Sequence, residues 1–292
     1  MLDRLRTWYG RRLPDHVILP PVAPAPAPAA GPGVAWPSAR IALAEQLWGE
    51  GFLLPGGAEE VLRLARPLGL SAASTLLLLE AGIGGPAHRI AAELGVWVAG
   101  FEADADLAAL AATRGRTAGL ARRAAVSRWN PAAPAFGRRR CHHALLIEPL
   151  RHGPAGSVLA SAARAVRADG QIALVDLAAT EALDAADPDV AAWLRLERRA
   201  GLPETEATIT AVLADLGYDV RVAEDISARH ATLAMRGWRE RLDGLDKQRE
   251  TPAGMALLVA EAELWLRRLR LLRRGRLRLV RWLAVGSAGG SG

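Results

Sequence analysis

The stretch that most limits how this chain can fold is Thr75-Leu-Leu-Leu-Leu79, followed directly by Glu80-Ala-Gly-Ile-Gly-Gly-Pro86. Five apolar or β-branched residues without polar alternation read as a strand buried on both faces, which is the environment of a parallel sheet. The turn carries Gly82, Gly84 and Gly85, and a helical pattern starts at Pro86, a residue suited to a first helical turn. A second strand pattern, Val96 to Phe101, ends in an acid, Glu102, 20 positions after Gly82. Strand, glycine turn, helix, strand and acid is the order of a nucleotide-binding βαβ unit.

Each part has a physical task. Glycine has no Cβ, so the backbone turns sharply and a ligand can approach it closely, while the helix start offers unpaired N–H groups. An acid at the tip of the next strand can accept hydrogen bonds from ribose hydroxyls. The competing reading is a glycine turn that only packs a helix against a sheet.

Around this unit the sequence reads as alternating elements. A helical pattern from Ser38 leads into Gln46-Leu-Trp-Gly-Glu-Gly-Phe-Leu-Leu-Pro-Gly-Gly57, and a second helix covers Ala58 to Arg66. Glycine and aromatic residues beside Glu50 suit a lid over a small-molecule site, or a simple turn between helices. After Glu102 come a helix from Asp104 to Thr113, a strand at Ala124 to Arg128, and a strand from His143 to Glu148. A helix from Ala155 to Val166, a stop at Arg167-Ala-Asp-Gly170 and a strand from Gln171 to Asp176 follow. Pro188 to Ala200 and Glu204 to Leu216 read as helices, and Gly217 to Asp225 contains a sixth strand. Ala228 to Leu242 and Thr251 to Arg274 are helical, and Arg276 to Val285 is a last strand. The long final helix carries a stripe of Leu258, Ala262, Trp265, Leu269 and Leu272, opposite Arg267, Arg270 and Arg274. This alternation predicts an α/β, Rossmann-like, doubly wound and mostly parallel sheet with an N-terminal helical cap.

Three segments follow from composition. Residues 1–37 hold a short amphipathic helix (Leu2, Leu5, Trp8 and Tyr9 on one side) and a Pro/Ala-rich linker, 38–286 form the main domain, and 287–292 read as a flexible tail. No apolar run reaches the roughly 18 residues of a membrane span, and no signal peptide is legible, so a cytoplasmic protein is expected. The single cysteine, Cys141, excludes an internal disulfide and a multi-cysteine metal site. Net charge is +6, carried almost wholly by arginine, without the aromatic strand, zinc finger or compact basic motif of a nucleic-acid binder.

The chain resembles the class I S-adenosylmethionine-dependent methyltransferases from roughly Ile41 to Val285. The resemblance rests on the Gly82-Ile-Gly-Gly-Pro86 turn, Glu102, Pro134-Ala-Phe136, Arg167-Ala-Asp-Gly170 and Leu216-Gly-Tyr-Asp-Val220. Trp48-Gly-Glu-Gly-Phe52 is similar to the cap entrance of small-molecule enzymes of the sterol and phosphoethanolamine type. It implies a seven-stranded sheet with the last strand antiparallel, and a methyl donor, S-adenosyl-L-methionine, across the first strand ends. It further implies that Gly82, Gly84 and Gly85 line the donor's methionine end, that Glu102 takes the ribose hydroxyls, and that Trp129 and Asn130 border the adenine. Two registers fit the turn. One puts Glu80 where the family has its first glycine, and the other reads Glu80, Gly82 and Gly84 as acid-x-Gly-x-Gly, with Glu80 binding the donor's amino group, capping the helix or facing solvent.

Methyl transfer needs alignment and exclusion of water, with a base where the acceptor loses a proton. Glu148 and His152 are the catalytic candidates, with Arg151 beside them; the alternative is a surface loop anchored by Arg151. His142 and His143 precede the fourth strand away from the site and read as structural. The expected activity is methyl transfer to a small organic acceptor. The alternative is an inactive relative that binds or scaffolds, with the Arg-rich final helix contacting a protein partner or a second copy.

Overall fold

In the computed structural model the described residues are 36–246 and 251–287, so the N-terminal helix, nearly all of the linker and most of the terminal tail lie outside them. Residues from Trp36 onward form one compact unit. Two helices come first, α1 (Ser38–Trp48) and α2 (Gly57–Ala65), then β1 (Thr75–Leu79), α3 (Gly85–Leu94), β2 (Trp97–Glu102), α4 (Ala105–Thr117) and β3 (Ala124–Arg128). Next are β4 (Cys141–Ile147), α5 (Ala155–Ala165), β5 (Val166–Ala179), α6 (Pro188–Glu197) and α7 (Glu206–Asp215). The chain continues through β6 (Tyr218–Asp225), α8 (Ser227–Asp243), α9 (Pro252–Arg273) and β7 (Leu277–Gly286).

The sheet has seven strands in the order β3-β2-β1-β4-β5-β7-β6. The first five pair in parallel, and β7 runs antiparallel between β5 and β6. Leu76, Leu77, Leu78 and Leu79 of β1 are all fully buried, because helices cover both faces of a central parallel strand. One face is filled by Leu77, Leu79, Leu146, Leu174 and Trp282 against Val158 and Leu159 of α5 and Ile209 and Leu213 of α7. Strand order runs one way from β1 to β3 and the other from β4 onward, so a crevice opens outside the carboxyl ends of β1 and β4, where ligands of such sheets bind.

Local chemistry explains several boundaries. Asp104 accepts from the backbone N–H groups of Asp106 and Leu107 and starts α4; Thr251 does the same for α9 through Gly254. Arg167-Ala-Asp-Gly170 is no stop: β5 begins at Val166, immediately after α5, and its first residues lie along β4, with Cys141 opposite Val166. Gly170 is needed because a Cβ there would run into the carbonyl of His142. His142 and His143 lie inside β4, not before it, at its amino end: His142 Nδ1 accepts from Thr75 N at 3.0 Å, and His143 Nδ1 from Gln171 N at 3.3 Å. The buried stripe of α9 is rotated from the expected one and runs through Leu258, Glu261, Leu264, Trp265, Arg268, Leu271 and Leu272, leaving Ala262 and Leu269 half-buried. Arg267 and Arg270 of α9, and Arg274 just after it, all reach Asp189 of α6.

Candidate functional site

Two non-glycine residues at the crevice hold a left-handed backbone. Glu80 (φ 59°), directly after β1, and Glu148 (φ 55°), directly after β4, are glutamates on adjacent strand ends. Such a conformation costs of order 1 kcal/mol or more for a residue with a Cβ and tends to gather at functional sites.

Glu80's side chain is only 11% exposed and is held from two sides. Trp129 Nε1 donates to one oxygen at 2.9 Å, and His152 Nε2 lies 2.8 Å from the other. Burial pushes the Glu80 carboxyl up to about 7, against the opposing charge of Arg151 and the Trp129 hydrogen bond. Burial also holds the His152 imidazole down, to about 4, helped by the charge of Arg151. Trp129 is buried edge-on to His152 and against Phe136, so the residues after β3 and β4 meet around the Glu80 carboxyl.

Glu102 stands at the end of β2, 3% exposed. One oxygen accepts from Gly82 N at 2.8 Å and the other from Asp104 N at 3.0 Å, which ties the second strand end to the glycine turn. Burial pushes its carboxyl up to about 8, with the nearby Glu80 adding to the rise. The turn has φ values of 56° at Gly82 and 98° at Gly84. Gly85 N donates to the Gly51 carbonyl at 3.1 Å, and a Cβ on Gly85 would strike that carbonyl, so the segment after α1 lies directly on the turn. Glu45 fixes this segment by accepting from Gly51 N at 2.7 Å while ion-paired with Arg114 of α4. Glu50 itself is exposed, and Asn130 is exposed with its side-chain oxygen accepting from Ala132 N.

Glu148 is buried, with both oxygens bound by Arg268 of α9, at 2.9 and 2.5 Å. Burial alone would raise its carboxyl, but the Arg268 charge and hydrogen bonds outweigh it and hold it well below the usual range. Arg268 also bonds Glu197, which neighbours Arg199, itself 3.5 Å from Asp176. Arg151 donates to the Glu197 carbonyl at 2.6 Å and anchors the loop that carries His152.

Beside Glu80 and Glu148 a cavity runs from the glycine turn under the 51–64 segment to His230 of α8. His230, Arg268, Glu197, Asp176 and Arg199 were not singled out in the sequence. Arg268 follows Trp265 by three on the stripe and His230 follows Ile226 by four, so helical spacing carried a signal for both. Nothing local marks Glu197, Asp176 or Arg199, whose pairing joins distant segments.

The seven-stranded sheet with a reversed last strand and a cap of helices is a fold shared with S-adenosylmethionine-dependent methyltransferases of known structure. No family model and no curated protein matches the chain. Among solved structures it is similar to phosphoethanolamine N-methyltransferase 2 of Haemonchus contortus in complex with S-adenosyl-L-methionine, with a TM-score of 0.73 and 17% identity over 84% of this chain and 56% of that one. The chain thus spans just over half the length of that enzyme. It is also similar to geranyl diphosphate C-methyltransferase of Streptomyces coelicolor A3(2) in complex with Mg2+, geranyl diphosphate and S-adenosyl-L-homocysteine (TM-score 0.60, 14% identity, 78% of each chain). A third is the [4+2]-cyclase SpnF (TM-score 0.66, 16% identity, 85% of this chain and 93% of that one). Identities this low establish the fold alone, and the cyclase carries a different activity in its name.

Proposed function

We propose that the chain is a methyltransferase that uses S-adenosyl-L-methionine and a small organic acceptor, with residues 38–286 as its working domain. The observation that carries this reading is Glu102, a buried carboxyl at the second strand tip joined to the glycine turn through Gly82 N. The residues present fit such a donor, because each Glu102 oxygen accepts one backbone N–H and keeps a lone pair for a ribose hydroxyl, whose hydrogen bonds would offset the burial that disfavours the ionised form. When bound, the donor supplies an electrophilic methyl group. Gly82, Gly84 and Gly85 would face its amino-acid end, with Trp129 and Asn130 towards the base. Glu80 and His152 are then the groups able to hold or receive an acceptor proton, as a carboxyl near 7 is partly ionised at neutral pH. Glu148, bound on both oxygens by Arg268, serves better as a positioning residue than as a base. Among the described residues no helix is long and apolar enough to cross a membrane, and a cytoplasmic location remains our reading of the sequence. Contact with a partner through α9 has weaker support, because Arg267, Arg270 and Arg274 are already paired with Asp189.

A second reading, a protein of this fold that binds without methylating, is favoured by the Glu80 carboxylate being taken by Trp129 and His152. Calorimetry with S-adenosyl-L-methionine, followed by labelled-donor incubation with fractionated metabolites, separates the two. Saturable binding with transfer supports the first; binding without transfer supports the second. No binding at millimolar donor sinks the first.

A further inference from the structure

The cavity under the cap differs in character from the polar crevice beside it. Phe52, Val61 and Leu64 close it from above, and Ile147, Val175 and Leu279 form its floor. Its charged residues are Glu60, Glu80 and Glu148, and among the described residues no lysine or arginine borders it. Glu60 is engaged by Arg63 and Arg229, and Glu148 by Arg268, all outside the lining. Arg199, a buried cation with unmade N–H hydrogen bonds, is closed off between Asp176 and Glu197, and Arg268, whose Nε is also unpaired, is bound to Glu148 and Glu197; neither borders the cavity. A phosphate placed here would lose water from its oxygens, meet carboxylates and find no cationic donor, which is strongly unfavourable.

One polar group at the far end is unsatisfied. His230 is 6% exposed, its ring packs on Trp265 at 5.8 Å, and its Nε2 has no hydrogen-bond partner. A buried ring nitrogen left unpaired is destabilising, and a ligand group that reaches it would supply the missing partner.

We propose that this cavity takes an apolar molecule without phosphate or any other anionic group, bearing one hydroxyl or amine that hydrogen-bonds His230. The description of that molecule as the methyl acceptor rests on the methyltransferase reading; the match of cavity and ligand chemistry does not. Burial keeps the His230 imidazole neutral, down to about 3, which leaves a ring nitrogen able to accept from an O–H or N–H. Apolar walls supply affinity in proportion to the area they cover, and the single polar contact fixes orientation.

The test is calorimetry on the full chain, with and without saturating S-adenosyl-L-homocysteine, using 4-propylphenol, 4-propylphenyl phosphate and 4-propylanisole. The phenol is expected to bind at least ten-fold more tightly than its phosphate ester. His230→Leu should weaken the phenol about three- to ten-fold while changing the anisole less than two-fold, and His230→Asn should restore part of the loss. Val61→Phe, which fills the cavity from the cap, should remove binding of both neutral probes. Equal or tighter binding of the phosphate ester overturns the charge argument, and an equal loss for phenol and anisole in His230→Leu overturns the role of His230. Absence of binding by all three probes overturns the proposal whether or not S-adenosyl-L-homocysteine binds. Phenol binding with no nucleoside binding sinks the methyltransferase reading and leaves this one standing.

Discussion

Glu102 and Glu80 are carboxyls kept in a site that disfavours their charge, and this has consequences for pH. Both are raised, to about 8 and about 7, so near neutrality the free protein holds protons that a hydroxyl- or amine-bearing donor would displace. Donor binding should therefore release protons and strengthen as pH rises from 6.5 to 8, by roughly three- to ten-fold if about one proton is linked. Calorimetry in buffers of different ionisation heat measures this directly, and a flat affinity over that range counts against it. Glu102→Ala should weaken the donor by roughly 1–3 kcal/mol through lost charge-assisted hydrogen bonds. His230 acts on stability instead of donor binding. Its folded value, about 3, lies below the unfolded one near 6.5, so the unfolded chain binds the proton more tightly between them. Stability is lost as pH falls through that window. By pH 5 the loss is roughly 2 kcal/mol, and His230→Leu should not show it in urea titrations.

At the scale of elements, α9 is held to the strand ends by charge as well as by its apolar stripe. Arg268 lies 2% exposed between Glu148 and Glu197, so Arg268→Met leaves the buried Glu148 carboxylate without its paired cation. Loss of about 3–5 kcal/mol is expected, and Glu148→Gln in the same chain should recover a large part of it, as read by urea denaturation. Strictly additive costs would show that the pair is not the source. The outer arginines differ. Arg270 and Arg274 pair with Asp189 in view of solvent, where each ion pair contributes at most about 1 kcal/mol. Helical periodicity located α9 but aimed its stripe one position away, since a buried arginine and glutamate read as surface residues until their partners are known. The same limitation hid the start of β5: Arg167-Ala-Asp-Gly170 has turn composition, and only pairing along β4 makes it strand.

Across the whole molecule, the cap meets the glycine turn at a close backbone approach. Gly85 opens α3 against the Gly51 carbonyl, so Gly85→Ala should lift the 49–57 segment without unfolding the sheet. Unchanged far-ultraviolet circular dichroism, faster proteolysis within 49–57 and donor affinity at least ten-fold weaker are expected from the loss of closure. Resistance to proteolysis equal to that of the unchanged chain would argue against it.

The sequence by itself determined the order of elements, the sheet class, and the glycine turn with Glu102 at its spacing, because these depend on local periodicity, turn chemistry and the short reach of a βαβ unit. Only the tertiary structure decided that Glu80 bridges Trp129 and His152, that Arg268 claims Glu148, and that His230 closes an apolar cavity. Those contacts join residues 49 to 120 positions apart, and no local pattern encodes which buried charge will find which partner once the strands have set their ends side by side.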